Sequence, residues 1–169
     1  KIQFKRGNSA GVSGIVDAVT TDAGGFTGTL SVLGVTITVD NNTRVEDKGD
    51  MRVESFRLAD IQVGDYLRVR GTENAALQLT ASRLERRRVS SDSWVRGIVR
   101  DALQPNMTVL GVPVATTATT QFEGGLSATQ FFATANGRIV KAKGLETVNT
   151  ITAREVEFED RDEDEDEDD

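Results

Sequence analysis

From Val12 to Val19 the chain falls into two registers, Val12, Gly14, Val16 and Ala18 in one and Ser13, Ile15, Asp17 and Val19 in the other. Successive side chains of an extended backbone point to opposite faces, so this period of two predicts a strand rather than a helix. Leu30 to Val39 follows, rich in Val, Ile and Thr and interrupted by Gly34. There either two strands reverse or one bends sharply. Asp40-Asn41-Asn42 supplies turn side chains. Leu58 to Asp65 predicts a short helical turn, punctuated by Gly64, before a strand from Tyr66 to Arg70. In that strand Leu67 and Val69 point inward and Tyr66, Arg68 and Arg70 outward, with Gly71 as its expected end. Leu79 to Leu84 centres a last strand.

The second half repeats the first. Val32-Leu33-Gly34-Val35 recurs as Val109-Leu110-Gly111-Val112 at a separation of 77 residues, and Gly14-Ile15-Val16 recurs as Gly97-Ile98-Val99. Leu79-Thr80-Ala81-Ser82-Arg83-Leu84-Glu85 resembles Ile151-Thr152-Ala153-Arg154-Glu155-Val156-Glu157, and the spacing contracts from 83 to 72 along the way. An insertion around Asp22-Ala23-Gly24-Gly25 in the first copy accounts for the first contraction. Ordered matches of this kind predict tandem units. The expected organisation is an N-terminal extension over 1–8, a first unit over 9–88, a second over 89–158 and an acidic tail over 159–169. Pro113, opposite Thr36, lacks a ladder donor and predicts an edge strand or a bulge. Val140 and Ala142 point inward in the second copy, Lys141 and Lys143 align with Arg68 and Arg70, and Gly144 matches Gly71.

Short curved strands, with a helical turn before the fourth, predict an all-β chain of two tandem small OB-like barrels and a disordered tail. Closure hides the sheet edges, and Gly14 or Gly97 lets the first strand bend around the barrel. A two-sheet sandwich is the alternative. Gly14-Ile15-Val16, Thr36 to Asp40 with Thr43-Arg44-Val45, and Leu58 to Gly71 together resemble the tandem bacterial modules called domain of unknown function 5666. The first copy covers the pattern well. The second keeps Gly97, Gly137 and Gly144 but has Arg138 at the aspartate position. The resemblance implies OB-like modules, often in exported or envelope-associated bacterial proteins, with no established catalytic residue set.

Composition narrows the chemistry. The chain of 169 residues has no Cys and no His. This excludes thiol and disulfide chemistry, zinc sites of the usual kind, and Ser-His-Asp or Cys-His catalysis. Lack of Cys fits an exported protein, so a secreted, periplasmic or cell-surface location is expected. The first residue, Lys1, fits removal of a signal or lipid-attachment segment and equally a trimmed chain. No apolar run approaches the length of a membrane-spanning helix. The formal charge of -7 comes from 27 acidic and 20 basic residues, but residues 159–169 hold ten carboxylates and one arginine. Subtracting them leaves 17 acidic against 19 basic, a slightly basic body with an acidic appendage.

A candidate ionic surface comprises Arg68, Arg70, Lys141 and Lys143, joined by Arg86, Arg87 and Arg88 near the junction with Arg83. An OB-like face with such residues can contact phosphates, and Tyr66 can stack on a base. Ile139 at the matched position makes nucleic acid an unfavoured partner. The ordinary reading is a solvated face that resists edge pairing. Trp94 is expected to pack at the junction or close the second core. The tail can accumulate divalent cations weakly but lacks the ligand spacing of a calcium loop, and no other cofactor is expected.

The ends suggest a candidate assembly strand. Ile2 and Phe4 share one face of Lys1 to Lys5, and Val156 and Phe158 share one face of Glu155 to Glu159. Such segments can pair within a chain or complete a neighbouring copy, and head-to-tail addition would build a filament. The sequence thus points to a non-catalytic exported binding or structural module, extending to a self-assembling cell-surface or extracellular filament subunit. A monomeric periplasmic adaptor, a single-stranded nucleic-acid binding module and a carboxylate-dependent enzyme are the alternatives. Protein or self-association is the expected partnership, with polysaccharide second. An enzyme would have to combine Asp17, Asp60, Asp65 or Glu85, of which Glu85 alone is read as having an acidic counterpart, Glu157.

Overall fold

The computed structural model describes residues 8–159. Its first unit contains β1 (Asn8–Thr21), β2 (Gly28–Val32), β3 (Val35–Val39), β4 (Arg44–Asp47), a 3-10 turn (Leu58–Asp60), β5 (Tyr66–Glu73) and β6 (Leu79–Arg87). The second contains β7 (Ser93–Leu103), β8 (Asn106–Val109), β9 (Val112–Ala115), β10 (Gln121–Phe122), α1 (Ala128–Thr134), β11 (Ile139–Thr147) and β12 (Thr150–Phe158). In the first unit β1 pairs with β2, β2 with β3, β3 with β6, β6 with β5, and β5 with β1. That circuit is a closed five-stranded barrel, and β7-β8-β9-β12-β11 closes the second in the same order. The strands β4 and β10, absent from the sequence expectation, add in parallel to the outer part of β6 and β12.

The repeat is legible atom by atom. Leu33 and Gly34 lie at φ 55° and 78°, and Leu110 and Gly111 at 54° and 77°. Two consecutive positive φ values make the tight turn that matches strand twist, so the interruption at Gly34 is a reversal. Thr43 donates to the Ala81 carbonyl at 2.7 Å, and Thr120 donates to the Ala153 carbonyl at the same distance. Each pins the start of the extra parallel strand to the last strand of its barrel. The insertion at Asp22 to Gly25 is the longer β1–β2 connection, as expected.

Two expectations about strand ends and edges fail. Gly71 and Gly144 do not end their strands: β5 runs on to Glu73 and β11 to Thr147, with register shifts at Arg70/Gly71 and Lys143/Gly144. A Cβ on either glycine would run into the facing carbonyl oxygen of Thr80 or Thr152. These glycines permit close backbone approach at a bulge rather than termination. Pro113 is not on an edge strand either, since β9 lies between β8 and β12. It sits one residue before β12 pairing begins at Val114, where no donor is required of it.

The two barrels share one apolar core. It runs from Val12, Leu67, Val69 and Leu84 to Val95, Val140, Ala142 and Val156, all essentially excluded from solvent. In the second unit Phe131 of α1 plugs the barrel end, stacking on Phe122 and Phe158 at 4.8 and 5.2 Å between ring centroids. The Ser127 hydroxyl caps α1 by accepting from the Gln130 amide at 3.1 Å, and the Gln130 side chain accepts from the Ser127 amide. The first unit fills the corresponding end differently. Arg86 lies 4.5 Å over the Phe56 ring and reaches Asp47 at 2.8 Å and Asp65 at 3.5 Å. The position matching Arg86 holds Phe158 and the position matching Asp65 holds Arg138, whose guanidinium lies 3.8 Å from the Phe158 centroid. At these two matched positions the Arg86–Asp65 contact of the first barrel gives way to Arg138 over the Phe158 ring, and each barrel carries a guanidinium against an aromatic ring.

Candidate functional site

The barrels join through a short antiparallel ladder between β1 and β7, with Val12 opposite Val95, Gly11 opposite Arg96 and Ser13 opposite Trp94. This places β12, β11, β7, β1, β5 and β6 side by side. Paired residues share a face of a sheet. One outer row therefore reads Glu157, Lys141, Arg96, Gly11, Arg70, Arg83, and the next Glu155, Lys143, Trp94, Ser13, Arg68, Glu85. Four of the sequence-predicted cations, Arg68, Arg70, Lys141 and Lys143, stand on this single belt although they come from different barrels. Arg96 joins them and was missed by sequence reasoning, because its counterpart in the first copy is Ser13.

Trp94 is the centre of the belt. Its ring packs against Gly11, where a side-chain carbon would approach ring atoms to 3.1 Å. Lys141 Nζ stands over the ring, 4.6 Å from its centroid. Trp94 therefore packs at the junction, as the sequence suggested. Tyr66 does not face outward as expected: it is buried, receives the Ser13 hydroxyl at 3.1 Å and donates to the Asp92 carbonyl at 2.6 Å. It is unavailable as a stacking platform.

Charge is unevenly spread. On the second-barrel half, Lys143 pairs with Glu155 at 3.5 Å and Arg96 with Glu159 at 2.9 Å, while Lys141 stands opposite Glu157. Burial holds the Lys141 ammonium below its usual value, and repulsion from Lys143 and Arg68 adds to this against Glu159 and Glu157. Burial, with Glu159 and Glu155 close by, pushes Glu157 above the ordinary carboxylate value. On the first-barrel half Arg68 stands opposite Glu85, which Arg83 meets at 2.9 Å, Arg87 at 2.8 Å and Lys48 at 3.9 Å, and Arg83 also reaches Glu46 at 3.6 Å. Arg70 makes no ion pair among the described residues. Those cations hold Glu85 below the usual carboxylate value despite a larger opposing effect of burial than of any single one of them. The excess positive charge therefore lies on the first-barrel side.

The remaining candidates disperse. Arg86 turns inward to Asp47 and Asp65, Arg87 pairs with Glu85, and Arg88 meets Asp50 at 2.6 Å on the exposed surface. Val156 is core, between β11 and β10, and Phe158 packs in the aromatic cluster. Ile2 and Phe4, like the acidic tail expected to gather cations, lie outside the described residues. Asp60 accepts from the Arg57 amide at 2.9 Å, Asp65 accepts from the Gln62 amide at 2.9 Å, and Asp17 is exposed. No group of three or more acidic side chains among the described residues is placed to hold a metal ion, and no helix there is long and apolar enough to cross a membrane.

A second feature of the junction also escaped the sequence. Glu73 and Glu146 are a second aligned acidic pair, outside the four acids weighed as catalytic candidates. Each sits beyond its bulge glycine and reaches the other barrel. Glu146 accepts from the Ser93 hydroxyl at 2.7 Å and the Ile15 amide at 3.3 Å, beside Gly14. Glu73, its side chain wholly buried, pairs with Arg100 at 2.6 Å beside Gly97. Ala10 stands where the second copy has Ser93, and Asp17 where it has Arg100. Each acid thus recruits a donor that the other copy lacks. Extending the first match by aligning Glu73 with Glu146 is the signal that finds them.

Neither the curated proteins nor the solved structures provide a match to this chain. The family model described as a domain of unknown function (DUF5666) matches it twice, over residues 13–85 and 96–157, one match for each barrel. With most of its length covered by those two matches and the same closed circuit in both, the chain belongs to the DUF5666 family.

Proposed function

We propose that this chain is a non-catalytic binding module of the bacterial envelope or exterior whose belt takes acidic polypeptide segments. The observation that carries the reading is the meeting of Arg68, Arg70, Arg96, Lys141 and Lys143 from two barrels on one outer face. Cations presented together on a rigid sheet create a field that a linear polyanion can follow without reorganising the protein. A protein segment fits better than nucleic acid, because Tyr66 is withdrawn and Trp94 is covered by packing. The non-catalytic reading rests on the carboxylates: Asp60, Asp65 and Glu85 are each engaged in caps or ion pairs. Absence of Cys supports an exported location. Assembly through the chain ends is left out of this reading, because Val156 and Phe158 are committed to the second barrel.

The test is titration of the full chain with polyglutamate, dextran sulfate and a single-stranded oligonucleotide at low salt, read by fluorescence of Trp94, the one tryptophan in the sequence. Polyglutamate binding that weakens with salt and with Arg70→Gln supports the reading. Binding to the oligonucleotide alone, or to none of the three by the chain with or without its tail charges, overturns it.

A further inference from the structure

We propose that the acidic segment 160–169 docks, within its own chain, on the first-barrel half of the belt and is the resident competitor for that face. This rests on the reading of the belt as a seat for acidic polypeptide. Three observations direct the segment there. The first is the point of departure: β12 pairing continues to Glu159, whose amide donates to the Ile139 carbonyl at 2.7 Å and whose carboxylate meets Arg96. Arg96 also donates to Ser9, so the chain leaves the described structure at the end of β12, tied by Arg96 to the seam.

The second is complementarity. Residues 160–169 contain nine carboxylates and one arginine. On the second-barrel half, Lys141, Lys143 and Arg96 are matched in number by Glu155, Glu157 and Glu159. On the first-barrel half, Arg68, Arg70, Arg83, Arg87 and Lys48 stand against Glu85 and Glu46, an excess of cations. A polyanion leaving Arg96 is repelled by the glutamates of β12 and drawn toward Arg70. The third is reach. Neighbouring strands are about 5 Å apart, so Arg70 on β5 lies four strand spacings, roughly 20 Å, from Glu159 at the end of β12. Ten residues extend to about 33 Å, so the segment crosses the seam with length to spare. Tethering fixes it at an effective concentration in about the millimolar range, which an outside partner must overcome.

Because the chain has no cysteine, Asp166→Cys gives a single site for a nitroxide label on the full-length protein. In NMR spectra at low salt the proposal expects broadening of the amides of Gly11, Arg68 and Arg70 beyond that of Gly124 or Thr38. It expects the effect to disappear in Arg68→Gln/Arg70→Gln and at about 0.5 M salt, where screening acts within roughly 4 Å. Broadening confined to residues adjoining Glu159 overturns the proposal. So does equal broadening when the labelled chain is mixed with an unlabelled, isotope-enriched one, since that places the segment on another copy. Polyglutamate titration separates this inference from the reading beneath it. Changing the carboxylates of 160–169 to amides is expected to tighten polyglutamate binding about tenfold or more. Equal affinity with and without those charges overturns the competitor role while leaving the belt a binding face.

Discussion

Val12 and Val95 face each other across the β1–β7 ladder and are also each other's counterparts in the repeat, 83 residues apart. A residue that pairs with its own copy in an antiparallel ladder marks a two-fold axis. The flanking pairs obey it: Gly11 opposite Arg96 becomes Trp94 opposite Ser13 when each residue is exchanged for its counterpart. The junction is therefore self-complementary, an isologous dimer interface realised within one chain. The hairpin tips follow the same rule, with Asn149 against Gly34 and Leu77 against Gly111.

This close fit makes Gly11 intolerant. A Cβ there would lie 2.7 Å from the Val69 carbonyl oxygen and 3.1 Å from the Trp94 ring. Gly11→Ala is expected to destabilise the protein by about 1–3 kcal/mol through overpacking and to shift Trp94 emission to the red. Gly24→Ala, whose added carbon meets only Phe26 at 3.7 Å, should change stability by less than about 0.5 kcal/mol. Urea unfolding followed at Trp94 reads both.

Glu73 depends on Arg100 in a way that Glu146 does not depend on any cation. Its side chain is wholly buried, and its Oε1 accepts no hydrogen bond among the described residues. Removing the guanidinium leaves a buried carboxylate without its counter-charge. Arg100→Met should cost about 2 kcal/mol or more, and adding Glu73→Gln should restore a substantial part of it. A double-mutant cycle by chemical denaturation measures the recovery; additive losses would show that the two side chains are not coupled.

Asp47 sets the acid limb of stability. Two bonds from Arg86, at 2.8 and 3.2 Å, and the amides of Val53 at 2.8 Å and Gly49 at 3.0 Å hold its carboxyl well below the usual carboxylate range despite burial. The folded protein thus binds this proton less readily than the unfolded chain. Its stabilisation is complete above the ordinary carboxylate pKa near about 4 and is lost as pH falls through the lower folded value. Asp47→Asn should be destabilising at pH 7, by about 3 kcal/mol, with the gap from the parent narrowing below about pH 4. Unfolding midpoints across that range check the sign.

The belt should strengthen on acidification. Glu157 takes up its proton above the ordinary carboxylate value, so the belt gains positive charge as pH falls toward that value from neutrality. Dextran sulfate, whose charge does not change over this range, should bind more tightly as the pH drops. Glu157→Gln should bind more tightly at neutral pH and lose this step, as read by Trp94 fluorescence.

The barrels were legible because their signals are local. Alternation at Val12 to Val19, the Leu-Gly reversals and the inward Leu67 and Val69 all report on neighbours within a few residues. The junction was not legible for a physical reason. Gly71 and Gly144 carry the composition of a strand end, and sequence does not separate an end from a place where two backbones touch. Stopping there removed Glu73 and Glu146 from view. Arg86, Arg87 and Arg88 look like one cluster, but successive strand residues alternate sides, so Arg86 is interior to an ion pair while Arg87 is on the outer surface. Trp94 was informative only as a size difference from its counterpart, Gly11, across the two-fold.

Fusion of the two halves has allowed their identity to lapse. In a perfect two-fold dimer the two outer rows would be the same row read in opposite directions, and a thread-like ligand would settle either way with equal energy. Here one row passes Arg96 and Gly11 at the seam and the other passes Trp94 and Ser13. The ends also differ, Arg83 at one and Glu155 at the matching place on the other. A chain laid across this surface therefore meets a defined order of side chains, and the belt has a polarity that a two-fold pair of identical modules could not give it.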